Sequence, residues 1–322
     1  MATFVVCAIA LAGLAWAVSV GTESVGARFG PGVTGVLQST LGNLPELFIV
    51  LFALSAGETV VAQTSILGSL FANALLVLGL AFVAGARREE DGCMRFGSRL
   101  PSDTTILLLL AVFTIVILGV SDRVGDRASH HTVAISVIGA VVLLAVYGSW
   151  LWGYLRSDRS ADPALEASAH HLELVPALAL LAAAGVGAAF VSDWFVAELD
   201  PAVKTLGISK AFTGLVIVAI AGNAVENVVG ITLAAKGQAA LAVSVVKNSV
   251  SQIAVFLYPT LVLLSLFFEH RLTFVVNPVL TGALALTAIA LFAISGDGKA
   301  VVFEGFALIG LYVILAALAW YE

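Results

Sequence analysis

Gly42-Asn43-Leu44-Pro45-Glu46 and Gly222-Asn223-Ala224-Val225-Glu226 are the same motif written twice, 180 residues apart in a chain of 322. Each copy places a carboxylate inside a long apolar stretch. Ionisable groups are costly at bilayer depth, so a buried glutamate there marks a functional position. Two glutamates in duplicated contexts point to one ion site built jointly by two halves of a transport protein. The offset extends beyond the motif: Gly57, Ala62 and Ser69 meet Gly237, Ala242 and Ser249.

The surrounding composition supports a membrane setting. The chain is 60% hydrophobic and 11% charged, with a mean hydropathy of +1.07. A water-soluble domain of this length cannot hide so much apolar surface. The net charge of −6 is spread over short loops, and no basic surface suited to nucleic acid is present. Cys7 and Cys93 suggest neither a disulfide framework nor a metal knuckle. The first 20 residues lack a basic segment of the kind that opens a secretory signal, and they are read as a helix that the repeat requires.

Stretches near the length of about 20 residues that a spanning helix needs fall at 2–20, 31–55, 60–84, 104–120, 132–155, 173–192, 207–235, 239–267, 273–294 and 301–321. The expected fold is therefore all-α and polytopic. It has ten transmembrane helices in two five-helix repeats, residues 1–155 and 173–322, joined by a polar cytoplasmic linker at 156–172. An odd number of helices per half reverses the second half in the membrane, which gives an inverted repeat. With the N-terminus outside, cytoplasmic loops carry nine Lys or Arg residues and outer loops five, so both termini are expected outside.

On a helix Asn43 and Glu46 share one face. Pro45 removes a backbone donor and is expected to free the carbonyl of Leu41, while Gly42 permits close approach. Broken helices occur in membranes where the freed backbone lines a polar cavity. Carboxylate, amide and main-chain oxygens at one level suit a hard cation, which takes about six to eight oxygen ligands. The following helices add Gly68, Ser69 and Asn73 in the first half and Asn248, Ser249 and Gln252 in the second. The candidate cation-site residues are Glu46, Glu226, Asn43, Asn223, Ser69, Ser249, Asn73 and Gln252. Two facing carboxylates balance one divalent cation or two protons, and that competition is a physical basis for exchange. Against this stands the plainer role of intramembrane Asn and Ser as hydrogen-bonding groups between helices.

With these residues in hand, the sequence resembles the calcium/cation antiporter superfamily, and within it the calcium/proton exchanger branch. The carriers are Gly42-Asn43-x-x-Glu46-Leu47, Gly68-Ser69 with Asn73, and Leu75-Leu76-Val77-Leu78-Gly79. In the second half they are Gly222-Asn223-Ala224-x-Glu226 and Ser249 with Gln252. The resemblance implies a cation site between the two glutamate-bearing helices. It also implies alternating access by sliding of the first and sixth helices, residues 2–20 and 173–192, and calcium and protons as substrates. No cofactor is expected, and oligomeric state is left open. Three positions depart from the family pattern: Asn227 stands where the family usually has His, Asn248 stands in a Gly-Ser pair, and Lys247 is an intramembrane cation. Lys247 either snorkels or pairs elsewhere, or its ammonium reaches Glu226 and competes with the ion. In the second case Lys247→Leu increases calcium affinity.

Sodium/calcium or monovalent cation/proton exchange on the same fold is the alternative. A membrane enzyme needs a nucleophile or metal set at one depth, and no His-rich or Cys-rich spacing supplies it. A passive channel does not require inverted halves with one carboxylate each, and a scaffold does not require Glu46. His130-His131 and His170-His171 are read as solvated pairs, and Glu89-Glu90-Asp91 as a solvated acidic run. Gly57, Gly79 and Gly237 are read as packing or helix-end residues.

Overall fold

The computed structural model describes residues 2–29, 41–96, 99–156 and 172–322. The linker with Asp158, Asp162, Pro163 and Glu166, the pair His170-His171, and the start of the stretch at 31–55 lie outside the described residues.

Backbone polar groups have no water to bond in a bilayer, so apolar segments close their hydrogen bonds internally as helices. Twelve helices are labelled here. They are α1 (Ala2–Phe29), α2 (Leu44–Ser55), α3 (Thr59–Ala86), α4 (Arg99–Val124), α5 (Thr132–Arg156) and α6 (Leu174–Ala197). The remainder are α7 (Leu199–Leu206), α8 (Lys210–Gly222), α9 (Ala224–Ala235), α10 (Ala239–Phe267), α11 (Pro278–Ser295) and α12 (Val302–Trp320). Two short strands, β1 (Cys93–Arg95) and β2 (Lys299–Val301), pair antiparallel at one end of the bundle.

Eight of the ten expected spans are single helices long and apolar enough to cross a membrane. The two that carry the glutamates are not. The stretch at 207–235 is α8 and α9, broken at Asn223, and α8 is bent 118° from α7. The stretch at 31–55 contributes α2, which starts at Leu44 after a turn at Gly42 and Asn43. The breaks share a cause. Asn43 (φ −94°, ψ 17°) and Asn223 (φ −104°, ψ 23°) both sit near the bridge region of backbone space. Pro45 is not that cause. It lies in the first turn of α2, where a missing donor costs nothing, and the second break occurs with no proline at all.

The 180-residue offset persists in the backbone. Gly57 and Gly237 both take positive φ, 79° and 82°, in the turns α2–α3 and α9–α10. Glu58 and Gln238 then begin α3 and α10 with nearly equal angles (φ −83° and −89°, ψ 58° in both). π-helical segments interrupt α3 at Ala72–Val77 and α10 at Ile253–Leu257, and a third lies in α8 at Thr213–Val218. Such bulges concentrate at functional sites.

Helix α3 is almost wholly buried, and α10 largely so. Around them α1, α5, α6, α11 and α12 turn apolar side chains outward, among them Ile9, Val141, Phe190, Phe292 and Ile314. That distribution suits a hydrocarbon solvent, and the chain is a multi-pass membrane protein. Helices α1 and α6 run antiparallel, with Phe4 stacked on Phe195 at 4.7 Å and Gly21 facing Leu181. Helices α4 and α11 are also antiparallel, because Gly119 meets Thr281 while Thr105 and Ser295 share Lys247. Glycine sets two further crossings. A Cβ on Gly68 of α3 falls 2.4 Å from the Leu215 carbonyl of α8. Gly79 of α3 and Gly305 of α12 press on one another's carbonyls, at 2.7 and 2.6 Å from a Cβ built on each. These are the close approaches that small residues permit in membranes.

Expected and observed boundaries differ at α11. It starts at Pro278, because Asn277 caps it by accepting from Val279 N at 2.9 Å. The preceding residues instead run as an irregular segment with Leu272, Phe274 and Val276 buried.

Candidate functional site

Each half-helix break delivers a carboxylate at a helix start. Glu46 lies in the first turn of α2 and Glu226 in the first turn of α9. The positive end of a helix dipole favours a negative side chain there. Glu46 reaches across to the second half of the chain, where it rests on Gly222. A Cβ at Gly222 falls 2.7 Å from Glu46 Cγ and 3.2 Å from Oε1, so the glycine makes room for the side chain.

Asn223 organises the contact. Its Nδ2 donates to Glu46 Oε1 at 2.6 Å, to Ser69 Oγ at 2.8 Å and to the Ala219 carbonyl at 2.9 Å. The Ala219 carbonyl also accepts from Asn223 N at 3.2 Å, so this residue ends α8 with its main chain and holds the carboxylate with its side chain. Ser69 Oγ also donates to Glu46 Oε1. Asn73, inside the π segment of α3, donates from Nδ2 to Asn223 Oδ1 at 3.0 Å and to the Ser69 carbonyl at 3.1 Å. Glu46, Ser69, Asn73 and Asn223 thus form one hydrogen-bonded group contributed by both halves.

Among the described residues no matching group forms around Glu226: its Oε2 is buried without a hydrogen-bond partner, as is Ser249 Oγ. Asn43 is buried at the first break, with its carbonyl accepting from Leu47 N at 3.0 Å. Gln252 is half-buried at the junction with the π segment of α10, one turn beyond Ser249.

Among the described residues, five buried side-chain oxygens on α2, α3, α9 and α10 have no hydrogen-bond partner: Glu46 Oε2, Asn73 Oδ1, Glu226 Oε2, Asn227 Oδ1 and Ser249 Oγ. Burying polar groups unsatisfied is costly, and carboxylate, amide and hydroxyl oxygens are the donor types that a hard cation takes. Asn227 was absent from the candidates drawn from sequence. Its place one turn beyond Asn223 was the available signal, because residues four apart share a helix face.

Lys247 projects away from this cluster. Its Nζ donates to Ser295 Oγ at 2.6 Å and to Thr105 Oγ1 at 3.3 Å, between α10, α4 and α11. Ser295 is the last residue of α11, where the negative end of the helix dipole favours a cation. Lys247 forms no ion pair with Glu226 among the described residues. The expectation that its ammonium competes at Glu226 gives way to pairing elsewhere. His130 and His131 are exposed in a short 3₁₀ turn, Arg127–His131. That turn is capped by Asp126, whose carboxyl is held below the usual carboxylate range by hydrogen bonds from Ser121 and the turn's amides. Glu89, Glu90 and Asp91 are exposed, and Asp91 pairs with Arg95. Gly57 and Gly237 are turn residues and Gly79 a packing residue, as read from sequence.

The comparisons with known proteins agree in direction. The chain is 32% identical to the Ca(2+)/H(+) antiporter ChaA of Bacillus subtilis (strain 168), over 97% of this chain and 90% of that protein. It is 29% identical to a Ca(2+)/H(+) antiporter of Aphanothece halophytica, over 97% of this chain and 88% of that protein. The solved structure of native YfkE superposes with a TM-score of 0.82 at 29% identity, covering 99% of this chain and 92% of that one. The family model described as sodium/calcium exchanger protein matches residues 1–155 and 176–321, and the chain belongs to that family.

Proposed function

We propose that this protein is a secondary antiporter that exchanges calcium for protons by alternating access, with Glu46 and Glu226 as the groups for which the two compete. The observation that carries this reading is the Glu46 cluster. A carboxylate from one half is bound by Asn223 of the other, and the second carboxylate stands in the matching first turn after the second break, its Oε2 buried without a hydrogen-bond partner among the described residues. Two carboxylates neutralise one divalent cation when it is bound and take up protons when it leaves. Asn43, Asn223, Ser69, Ser249, Asn73 and Gln252 complete or shape the shell. The relatives named Ca(2+)/H(+) antiporter support calcium and protons as the substrates.

The architecture proposed with this function is ten spans in two inverted five-helix repeats, 1–155 and 173–322, joined by a cytoplasmic linker at 156–172. Both termini lie outside and the protein sits in the cell membrane. The antiparallel packing of α1 on α6 and of α4 on α11 supports the inversion, because each pair joins helices in corresponding positions of the two halves.

The test is calcium uptake into proteoliposomes under an imposed proton gradient, with wild type beside Glu46→Gln and Glu226→Gln. Gradient-driven uptake in the wild type and its loss in both variants are expected. Sodium- or potassium-dependent proton movement without calcium flux moves the assignment to a monovalent exchanger.

A further inference from the structure

We infer that Asn227 gives its side-chain amide oxygen to the transported cation and sets how tightly the site holds calcium. This deepens the calcium/proton reading and rests on it.

The argument begins with the face of α9. Asn227 N bonds to the Asn223 carbonyl at 3.0 Å, so the two residues stand one helical turn apart on one side. Asn223 faces Glu46, Ser69 and Asn73. One turn the other way, Gly230 presses on α10 and α3, where a Cβ falls 2.5 Å from Val246 Cγ2 and 3.6 Å from Val77 Cγ1. Asn227 lies between these two contacts on the same helix face. It therefore occupies the seam among α9, α3 and α10, beside the turn of α3 that runs from Asn73 to Val77 and the turn of α10 that runs from Val246 to Ser249.

Among the described residues, the helices that form this seam carry four buried side-chain oxygens without a hydrogen-bond partner: Asn227 Oδ1 and Glu226 Oε2 on α9, Asn73 Oδ1 on α3 and Ser249 Oγ on α10. An amide carbonyl buried without a partner is costly unless something satisfies it. A second fact argues against a purely structural amide. The position 180 residues earlier is Leu47, which packs against the apolar core. The amide is thus not required by the symmetry of the repeat: it is present only beside Glu226. Here an amide has a property a carboxylate lacks: it donates an oxygen at every pH and never takes a proton. Asn227 strengthens the grip on the cation without adding to the protons exchanged.

The experiment is radiolabelled calcium binding to the full-length protein in detergent, across pH, for wild type, Asn227→Leu and Asn227→Asp. Asn227→Leu is expected to weaken calcium about tenfold, roughly 1.4 kcal/mol, without lowering the melting temperature. Asn227→Asp is expected to bind calcium more tightly at alkaline pH and to steepen the pH dependence by about one proton per calcium. An amide that serves only packing predicts neither gain. Should the leucine variant fail to fold, the aspartate variant decides. Affinity unchanged in the variants, against a wild type that binds calcium, overturns the role of Asn227 alone. A wild type that binds no calcium overturns the calcium reading together with this one.

Discussion

Glu46 is positioned by what Gly222 lacks as much as by what Asn223 offers. A methyl group at residue 222 meets Glu46 Cγ at 2.7 Å, and the carboxylate has to leave the Asn223 and Ser69 donors to avoid it. Gly222→Ala is therefore expected to fold and to lose at least tenfold in calcium affinity, measured as half-saturating calcium in proteoliposome exchange. Wild-type affinity in that variant means that Glu46 is not held as described. Lys247 makes the opposite case. Its ammonium is committed to Ser295 and Thr105 rather than to Glu226. Lys247→Leu should leave calcium affinity within about threefold of wild type, by the tenfold-per-1.4 kcal/mol rule for a lost or gained ligand contact. A large gain in affinity restores the competing-ammonium reading.

Elements meet here at glycines, and the cost of enlarging them follows from what they touch. The atom facing Gly68 is the Leu215 backbone carbonyl, which belongs to a π segment of α8 and cannot rotate aside as a side chain can. Gly68→Ala should separate α3 from α8, destabilise by about 1–3 kcal/mol as overpacking does, and lower the melting temperature in detergent. An unchanged melting temperature means that the two helices slide freely past one another. The same elements divide what was legible in the sequence from what was not. The repeat of Gly-Asn-x-x-Glu, the eight continuous spans and the roles of Gly57 and Gly237 follow from hydropathy and offset alone. The continuous helix expected over 207–235 does not form, because Asn223 leaves helical backbone angles and gives its amide to Glu46 and Ser69 of the other half, tertiary bonds that hydropathy does not register. Helix α7 escaped notice because eight amphipathic residues leave no periodic signal long enough to read. The β1–β2 pair escaped because its partners, such as Met94 and Ala300, lie far apart in the sequence. Asn227 was visible as an oddity beside Glu226, and only the burial of its unpartnered oxygen gives it a role.

At the scale of the whole molecule, charge bookkeeping constrains the cycle. Glu46 and Glu226 are the acidic side chains placed at the two helix breaks, the amides of Asn43, Asn73, Asn223 and Asn227 do not titrate, and Lys247 is engaged elsewhere. A calcium ion on two carboxylates is neutral, and so are two protonated carboxylic acids. The carrier then crosses between its inward- and outward-facing forms without moving net charge at the site in either direction, which avoids the cost of exposing a bare charge to hydrocarbon. The sign of the pH effect follows. Protons and calcium compete, so calcium affinity rises with pH while the carboxylates are protonated in the empty protein, and it levels off once they are ionised. The logarithm of affinity plotted against pH should reach a slope near two, one proton for each glutamate. It should fall to near one in Glu46→Gln and Glu226→Gln, wherever residual binding is measurable. Exchange in proteoliposomes should correspondingly be insensitive to an imposed membrane potential. A wild-type slope near one means that a single carboxylate exchanges its proton. A rate that follows the potential means that a further charge travels with the ion, and the neutral cycle on two glutamates is then wrong.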